Sequence, residues 1–583
     1  MCIRDSLVSD LDRVTPRAGS SRTSLMTTAD RIVSGAIPAV SYNSARTGDA
    51  LRYLYDEGVA LRRITGILAY AYASTHDPKY LDTMARTVAL NAAGWPDWNP
   101  GHALDNAQVA TAVALAYRWS AARMTSTQRA TVSRALTARM VMAYSCADGA
   151  LAAKRLTTGN QNSVIATAAT LSSLALRSDA SGWSSVGVSD GTSALARFRE
   201  PTGSGHSLSE GPTVEGLMYT TYEAANVALL HATRWRNGSD AAVAGLLDRS
   251  LVDLGTLATW NEQCGTVADP DVEDAWDYYP WVDRPTALAA MTAWPGAGGH
   301  VLDLVEELQA RDTLTVPDRG TWSVPDGIAE LLLSALATRT SPPPAVLSYA
   351  PEQGGAASYW GCAVNGSMRA LMSAAPNDEA HAHRDVGNVV VTDGEQGLLA
   401  DLGQRDYNFT APYVWRALTK AHNVVGVLQP DGRVLQAGTG AGSVTATADG
   451  LRMVADKTIY EALWTRDVGL APGSVTVRDR LSAKTVFTAP KPISTSFLLQ
   501  VPPSRVTDMG EGRLRVSMVD GSTWQVQAPT GVTVTVSDAS PAPPYEDTAE
   551  FRTTLAPAHT LVQLTTELSS TLDLTTTFVK TST

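Results

Sequence analysis

Cysteine, histidine and long apolar runs are all scarce in this chain of 583 residues. Its cysteines show no CxxC spacing, so they predict neither a disulfide-rich scaffold nor a cysteine-only zinc site. One disulfide among them remains possible. No apolar run reaches the length of about 18 residues that a membrane-spanning helix needs, which argues against membrane insertion. The four cysteines are Cys2, Cys146, Cys264 and Cys362.

Basic residues are also in deficit. The 46 lysines and arginines are outnumbered by 58 aspartates and glutamates, which gives a formal net charge of -12 at pH 7. Such a charge argues against a general nucleic-acid surface or an anionic membrane surface. It does not exclude an anionic substrate, because a few arginines in a cleft reverse the field locally.

The start of the chain carries no visible secretory signal, since it lacks an apolar segment of the required kind. Residues 1–6 resemble translated sequencing-adapter sequence joined to a truncated reading frame. We therefore expect the natural N-terminus to be missing.

The rest of the composition is that of a globular protein, with 44% hydrophobic and 18% charged residues, and the length predicts two or three domains. From about residue 50 to 338, apolar residues recur at helical spacing in about ten segments, which predicts antiparallel helical hairpins. Residues 341–344, which include three prolines, end this pattern. After them the period changes to two in short β-branched segments, which predicts a large antiparallel β-sandwich.

Three of the nine histidines lie close together in the predicted sandwich, at positions 381, 383 and 422. In a strand, His381 and His383 would point to the same face. Asp401 and His422 add ligand types that zinc accepts. The alternative is a polar sheet face with three unrelated histidines.

Several motifs, taken in their order and spacing, resemble the heparinase II/III-like polysaccharide lyases, the family of heparinases and alginate lyases. The resemblance covers about residues 50–480. It rests on WNPGHALD at 98–105, AYRW at 116–119, TGNQNSV at 158–164, EGPTVEG at 210–216, HAH at 381–383, DLG at 401–403 and AHNVV at 421–425.

The resemblance implies a multidomain α+β fold, with an incomplete (α/α) toroid followed by an antiparallel β-sandwich. We therefore predict a poorly patterned segment over residues 1–45, the toroid over 46–340 and the sandwich over 345–583. It also implies a bacterial protein that is secreted or periplasmic. Its oligomeric state is left open.

The activity that the resemblance implies is β-elimination on a uronate polysaccharide. A base removes the C5 proton beside the sugar carboxylate and an acid assists the departing 4-linked oxygen, while donors stabilise the charge that spreads into the carboxylate. Matching the family's motifs assigns Asn160 as the carboxylate donor and His381 as a base or carboxylate contact. The catalytic phenol is Tyr219, with Tyr222 as the second candidate.

The resemblance further implies a structural zinc ion, held by His383, Asp401 and His422 with a water as the fourth ligand. In this interpretation the zinc holds the strands together and orients His381, and it does not act as a Lewis acid. Substrate contacts are predicted for Gln161, Glu210, His206, Trp276, Tyr279 and Arg416.

Two departures from the family's pattern keep other functions open. Some relatives carry His where this chain has Gln161, and many carry Tyr where it has Val214. A non-catalytic glycan-binding protein and a glycoside hydrolase are the alternatives, the latter using paired carboxylates. Its candidate carboxylates are Asp97, Asp105, Glu210, Glu215 and Asp274. The sequence does not discriminate between alginate, heparan sulfate, hyaluronan and bacterial exopolysaccharides as substrates.

Overall fold

The structure is a computed structural model of the chain. It describes residues 11–19, 21–44, 53–156, 160–176, 179–198, 217–232, 284–292, 299–311, 313–316, 320–337, 359–377, 383–394, 396–401, 419–437, 441–539 and 559–582.

Helices fill the described part of the chain up to residue 337, apart from one short hairpin. A π-helical segment, Ala85–Leu90, joins α3 to α4, and a second one, Thr137–Val141, joins α6 to α7. The helices are α1 (Ser21–Val33), α2 (Tyr55–Thr75), α3 (Lys79–Met84), α4 (Asn91–Ala93), α5 (Ala103–Ser120), α6 (Ser126–Leu136), α7 (Met142–Ser145), α8 (Asn160–Ala175), α9 (Ser181–Phe198), α10 (Leu217–Ala232), α11 (Arg284–Met291), α12 (Gly299–Arg311) and α13 (Gly327–Ala337).

Six of these helices form a ring. In chain order, α2, α5, α8, α10, α11 and α13 each pack against the next, and α13 packs back against α2. Helix α5 shows why these helices lie inside: it is rich in alanine and buried on nearly every face. A helix that is apolar all round belongs in an interior, and small side chains let its neighbours approach closely.

A hydrogen-bonded carboxylate fixes the first turns of α2 and α5 together. Asp105 accepts hydrogen bonds from the Leu54 backbone N–H (2.8 Å), the Asn99 side-chain amide (2.8 Å) and the ring of His102 (2.7 Å). Since Asp105 is fully buried, these donors offset the cost of removing its charge from water. The WNPGHALD motif therefore has a structural role at this end of the ring.

The N-terminal segment contains a helix that the sequence pattern did not predict. Helix α1 lies within the segment that was predicted to be poorly patterned, and it packs against α2 and α3. Leu25, Ala29 and Ile32 form its buried face, at the spacing of an amphipathic helix. The many Ser, Thr and Arg residues around these few apolar positions conceal that spacing in the sequence.

Two further helices and a hairpin were also missed by the pattern. Helix α9 is rich in serine and glycine, which are poor helix formers, so its packing against α8 determines its conformation. Helix α11 is short, and β1 (Thr313–Val316) pairs with β2 (Gly320–Ser323) inside the otherwise helical region. The predicted helical segment near residues 241–260 and the predicted boundary at 341–344 lie outside the described residues.

The remainder of the described chain is antiparallel β-structure, as predicted. The described strands are β3 (Trp360–Asn365), β4 (Met368–Ser373), β5 (Asn388–Asp393), β6 (Gln396–Leu399), β7 (Val425–Leu428), β8 (Val434–Leu435), β9 (Ala441–Thr447), β10 (Gly450–Asp456), β11 (Ala462–Ala471), β12 (Ser474–Ala483), β13 (Lys491–Leu499), β14 (Val506–Asp508), β15 (Arg513–Ser517), β16 (Thr523–Gln527), β17 (Thr533–Asp538), β18 (Thr560–Leu568) and β19 (Thr571–Ser582).

These strands form two sheets that pack face to face. One sheet has the order β14-β15-β16-β19-β12-β11-β10-β9, and the other has the order β17-β18-β13-β6-β5-β4-β3, with β7 paired to β13 and β8 to β7. The strict alternation of buried and less buried residues along β11 is that of a strand with one face on a core. Phe497 and Phe578 meet edge to face across the core, with ring centres 5.4 Å apart. The predicted multidomain α+β fold is confirmed.

Two other sequence expectations can be compared with the structure. Cys362 on β3 is disulfide-bonded, whereas Cys146 carries a free thiol, so the one possible disulfide is present. Its second cysteine lies outside the described residues. Among the helices that the structure describes, none combines the length and the apolar character needed to cross a bilayer.

The contact between α2 and α13 gives a test of the ring. A Cβ atom on Gly327 would meet the Gly66 carbonyl oxygen at 2.4 Å and the Ile67 nitrogen at 2.6 Å. Because backbone atoms cannot rotate away, Gly327→Ala should lower the free energy of unfolding by about 1–3 kcal/mol. Thermal unfolding of the full chain measures this.

The matched control is Gly182→Ala in α9, since nothing lies within 4 Å of a Cβ added there. It should be neutral or slightly stabilising. Equal melting temperatures for the two variants would contradict the close approach of α2 and α13.

Candidate functional site

The sandwich buries a group of titratable side chains at one place. Asp385 precedes β5, Asp401 follows β6, and His422 follows a short helical turn before β7. We call these three residues the carboxylate–histidine cluster. Each is at most 4% exposed, and the ligand-type atoms of all three lie within 4.8 Å of one another.

Distances within the cluster are short. The His422 Nδ1 atom lies 2.7 Å from Asp401 Oδ2 and 3.9 Å from Asp385 Oδ2. The ring of His383, which is also buried, has its centre 5.1 Å from that of His422. The structure therefore brings together all three predicted zinc ligands, with His383 beside the cluster and Asp385 within it.

Asp385 was not predicted as a ligand. Burial raises the pKa of its carboxyl above the usual value, while His422 and His383 act in the opposite direction. Its Oδ1 atom is buried and has no hydrogen-bond partner among the described residues. A signal was present in the sequence, since Asp385 continues the alternate spacing of His381 and His383.

That spacing does not reflect a strand in the described residues. Residues 383–387 form an irregular segment with a turn, and β5 begins only at Asn388. The strand geometry expected for the HAH run is therefore wrong for its described part, His383. Instead, Gly387 turns the chain into β5 with φ of 82°, and a Cβ there would meet the Trp464 ring at 2.6 Å. Only glycine satisfies both conditions.

Two asparagines hold the cluster in place. The Asn388 side-chain amide donates to both Asp401 Oδ2 and Asp385 Oδ2, the latter at 3.3 Å. Its oxygen accepts from the Asn423 backbone N–H at 3.1 Å. The Asn423 side chain in turn bonds the Ala400 carbonyl and the backbone N–H of β13. The loops that carry the three cluster residues are thus connected to one another.

An ion pair from the opposite sheet supports the same loops. Arg466 on β11 is fully buried and pairs with Asp479 on β12, with Nε 2.7 Å from Oδ1. The Nη1 group of Arg466 donates to the carbonyl of Gly387 (2.8 Å) and to that of Asn423. The guanidinium therefore spans the core and binds the backbone on both sides of the cluster.

The helical ring holds the described part of the predicted catalytic set. Asn160 is the first residue of α8 and is buried, and the neighbouring Gln161 accepts a hydrogen bond from Lys154 Nζ at 2.7 Å. Helix α8 packs between α5 and α10. The helix of the predicted carboxylate donor and the helix of the two candidate tyrosines are therefore adjacent members of the ring.

The two candidate tyrosines differ in their surroundings. Tyr222 is buried, and its hydroxyl accepts a hydrogen bond from Gln108 Nε2 of α5 at 2.7 Å. Arg62 of α2, also buried, lies within electrostatic range of that hydroxyl, and burial lowers the pKa of its guanidinium. Tyr219 lies one turn earlier on α10, and its side chain is outside the described ones. Tyr222 thus has a partner across the ring.

Six predicted site residues lie outside the described residues, and their roles remain predictions: His381, His206, Glu210, Trp276, Tyr279 and Arg416.

Comparison with known proteins matches no family model and no curated protein. Solved structures do match over nearly the whole chain. A heparinase III structure has a TM-score of 0.56 at 12% identity, covering 98% of this chain and 85% of that one. Heparan sulfate lyase HepC from Pedobacter heparinus has a TM-score of 0.52 at 10% identity, covering 99% and 86%. A further heparinase III gives 0.51 at 12%, covering 100% and 87%.

The chain has the fold of heparinase III. The match extends over both the helical ring and the sandwich, as the motif resemblance predicted. At identities this low, the likeness concerns the architecture alone, and the chemistry has to be argued from the residues of the site.

Within this heparinase III fold, Arg466→Gln tests the support of the cluster. Removing the guanidinium leaves Asp479 buried without its ion-pair partner, so we expect the free energy of unfolding to fall by about 3–5 kcal/mol. Chemical unfolding of the full chain, followed by tryptophan fluorescence, measures the loss.

Arg478→Gln is the control, because Arg478 pairs with Asp573 at the surface, where the two side chains are 46% and 50% exposed. It should cost about 1 kcal/mol or less. Comparable losses in the two variants would contradict a supporting role for Arg466.

Proposed function

We propose that this protein is a polysaccharide lyase that cleaves a uronate-containing polysaccharide by β-elimination. The observation that carries the proposal is the likeness to heparinase III and heparan sulfate lyase over both halves of the chain. The candidate residues add a chemical reason, since a buried asparagine begins α8 and a tyrosine helix packs beside it.

The reaction needs three functions from the protein. The Asn160 amide donates to the sugar carboxylate without bringing a competing charge. His381 takes the C5 proton or contacts the carboxylate. Tyr219 protonates the departing 4-linked oxygen, or acts as base if nearby positive charge lowers its pKa. We place the cleft where the helical ring meets the sandwich.

Of the five carboxylates considered for hydrolysis, Asp97 and Asp105 lie in the described residues and are engaged elsewhere, whereas Glu210, Glu215 and Asp274 lie outside them. Asp97 accepts hydrogen bonds from the Tyr42 and Tyr53 hydroxyls and from the Asn99 backbone N–H. Asp105 is equally occupied at the junction of α2 and α5. A hydrolase needs one carboxylic acid and one available carboxylate, and both of these side chains are engaged in holding the fold.

Turnover of a panel of polymers tests the proposal, using alginate, heparan sulfate, hyaluronan and bacterial exopolysaccharides. Elimination creates a C4–C5 double bond conjugated with the carboxylate, which absorbs in the ultraviolet. On the polymer that is cleaved, Tyr219→Phe and Asn160→Ala should each lower kcat by about 10²–10⁴-fold.

Tyr222→Phe is the matched control on the same helix. It loses the hydrogen bond from Gln108, which should cost about 1 kcal/mol of stability, and it should retain most activity. If Tyr222→Phe is inactive and Tyr219→Phe is active, the roles of the two tyrosines are reversed. Absence of ultraviolet-absorbing product from every uronate polymer would contradict the lyase proposal.

We also propose that the carboxylate–histidine cluster binds a structural zinc ion. Two carboxylates and an imidazole within 4.8 Å, with His383 alongside, form a donor set that suits zinc. The unpartnered Oδ1 of Asp385 fits such a role. When bound, the ion would neutralise the buried carboxylates and hold the loops before β5, after β6 and before β7 together.

Metal analysis tests this second proposal. The purified protein should contain close to one zinc per chain, and chelation should lower the Tm. Asp385→Asn should reduce both the zinc content and the Tm, because it removes a charged oxygen ligand. Asp431→Asn, on an exposed turn, is the control and should change neither. Metal-free protein whose Tm is insensitive to added zinc would contradict the site.

A further inference from the structure

A cavity lies in the helical region, apart from the cluster. It has a volume of about 360 Å³ and lies between the loop before α5, the first turn of α5, and the chain from the end of α6 to the turn after α7. We call it the Arg139 cavity. Its volume is in the range of pockets that bind small molecules. Its lining includes Trp98, Asn106, Arg139, Cys146 and Asp148.

Arg139 is a half-buried cation in this cavity. Its guanidinium centre lies 5.5 Å from the centre of the Trp98 ring, and its Nη1 reaches the Ala92 carbonyl only at 3.5 Å. Within the described part of the chain, no carboxylate oxygen lies within ion-pair distance of the guanidinium. The side chain is half-buried, and this burial lowers the pKa of the guanidinium. A planar oxyanion would use its remaining donors.

Asn106 supplies a complementary acceptor. It is 1% exposed, and its Nδ2 donates to the Arg139 carbonyl at 3.1 Å. Its Oδ1 atom is buried with no hydrogen-bond partner among the described residues. A buried acceptor without a donor is costly, and a ligand hydroxyl would satisfy it. The wall thus offers a cation and an acceptor.

The two acidic residues of the cavity form no direct ion pair with Arg139, although the charge of Asp97 acts on the guanidinium and raises its pKa. Asp97 is engaged by Tyr42, Tyr53 and the Asn99 backbone N–H. Asp148 is exposed on the turn after α7, where water screens its charge. A negatively charged ligand can therefore reach the guanidinium.

A chain segment that leaves the cavity packs against the helix of the candidate catalytic asparagine. The turn after α7 continues into a short 3-10 helix, Ala152–Leu156, which packs against α8. Asn160 is the first residue of α8. The wall of the cavity is thus linked through this 3-10 helix to the start of α8, where Lys154 Nζ donates a hydrogen bond to Gln161.

We propose that the Arg139 cavity binds an acidic sugar, with the sugar carboxylate on the Arg139 guanidinium and a ring hydroxyl donating to Asn106 Oδ1. The assignment of that sugar to a polymer substrate rests on the proposed lyase function. The binding itself does not depend on turnover.

Cys146 provides a direct reporter, because its free thiol lies in the cavity wall and is half-buried. The experiment measures the rate at which iodoacetamide alkylates Cys146 in the full chain, followed by mass spectrometry of the Cys146 peptide. Glucuronate should slow alkylation severalfold at saturation. Glucose, which lacks the carboxylate, should not slow it.

Two variants assign the effect to the guanidinium. Arg139→Gln should abolish protection by glucuronate, and Arg139→Lys should retain part of it, because the charge remains without the planar fork. Arg134→Gln, on the exposed face of α6, is the control. In this variant, glucuronate should protect Cys146 from alkylation as it does in the natural chain. Protection that persists unchanged in Arg139→Gln would overturn the proposal.

The nature of the ligand has its own outcomes. Protection by inorganic sulfate but not by glucuronate would overturn the carboxylate assignment, and protection by glucosamine alone would overturn the anionic one. Polymer cleavage is measured separately. If glucuronate protects Cys146 but the chain cleaves no polymer, the cavity assignment stands and the lyase proposal fails. If the chain cleaves a polymer but glucuronate does not protect Cys146, the lyase proposal stands and the cavity assignment fails.

Discussion

The ion pair between Arg466 and Asp479 is the interaction on which the polar interior of the sandwich depends. Charges are costly to bury unless they are paired and hydrogen-bonded. Here the guanidinium is shared between a carboxylate of its own sheet and two carbonyls in the segments that lead into β5 and β7 of the facing sheet. The Arg466 side chain thereby crosses the apolar core, and its guanidinium binds the backbone next to the residues Asp385, Asp401 and His422.

The helical half is organised differently. Its ring is closed by close backbone approach, as between Gly66 and Gly327, and by alanine-rich helices that are buried on most faces. Polar side chains cross the ring near the first turns of the helices, where Gln108 meets Tyr222 and Asp105 joins α2 to α5. A rigid apolar frame with polar groups at one end is a suitable scaffold for chemistry.

The sequence shows the change from helical spacing to strand spacing of its apolar residues. The ring helices and most strands could be predicted from it, because each is buried on one face or on all faces. Helices α1 and α9 escaped detection because serine, threonine and glycine dilute their apolar spacing. Asp385 was within reach of sequence reasoning, since it continues the HAH spacing. Arg466 was not, because its carbonyl partner in Gly387 is 79 residues away in the chain. Asn106 and Arg139 likewise meet only through the fold.

The masses of the products formed from a uronate polymer test the central claim most directly. Elimination adds no water, so each new non-reducing end should carry an unsaturated uronate that is one water lighter than the product of hydrolysis. The account predicts this lighter series from at least one uronate polymer. Products that all carry the added water would contradict it.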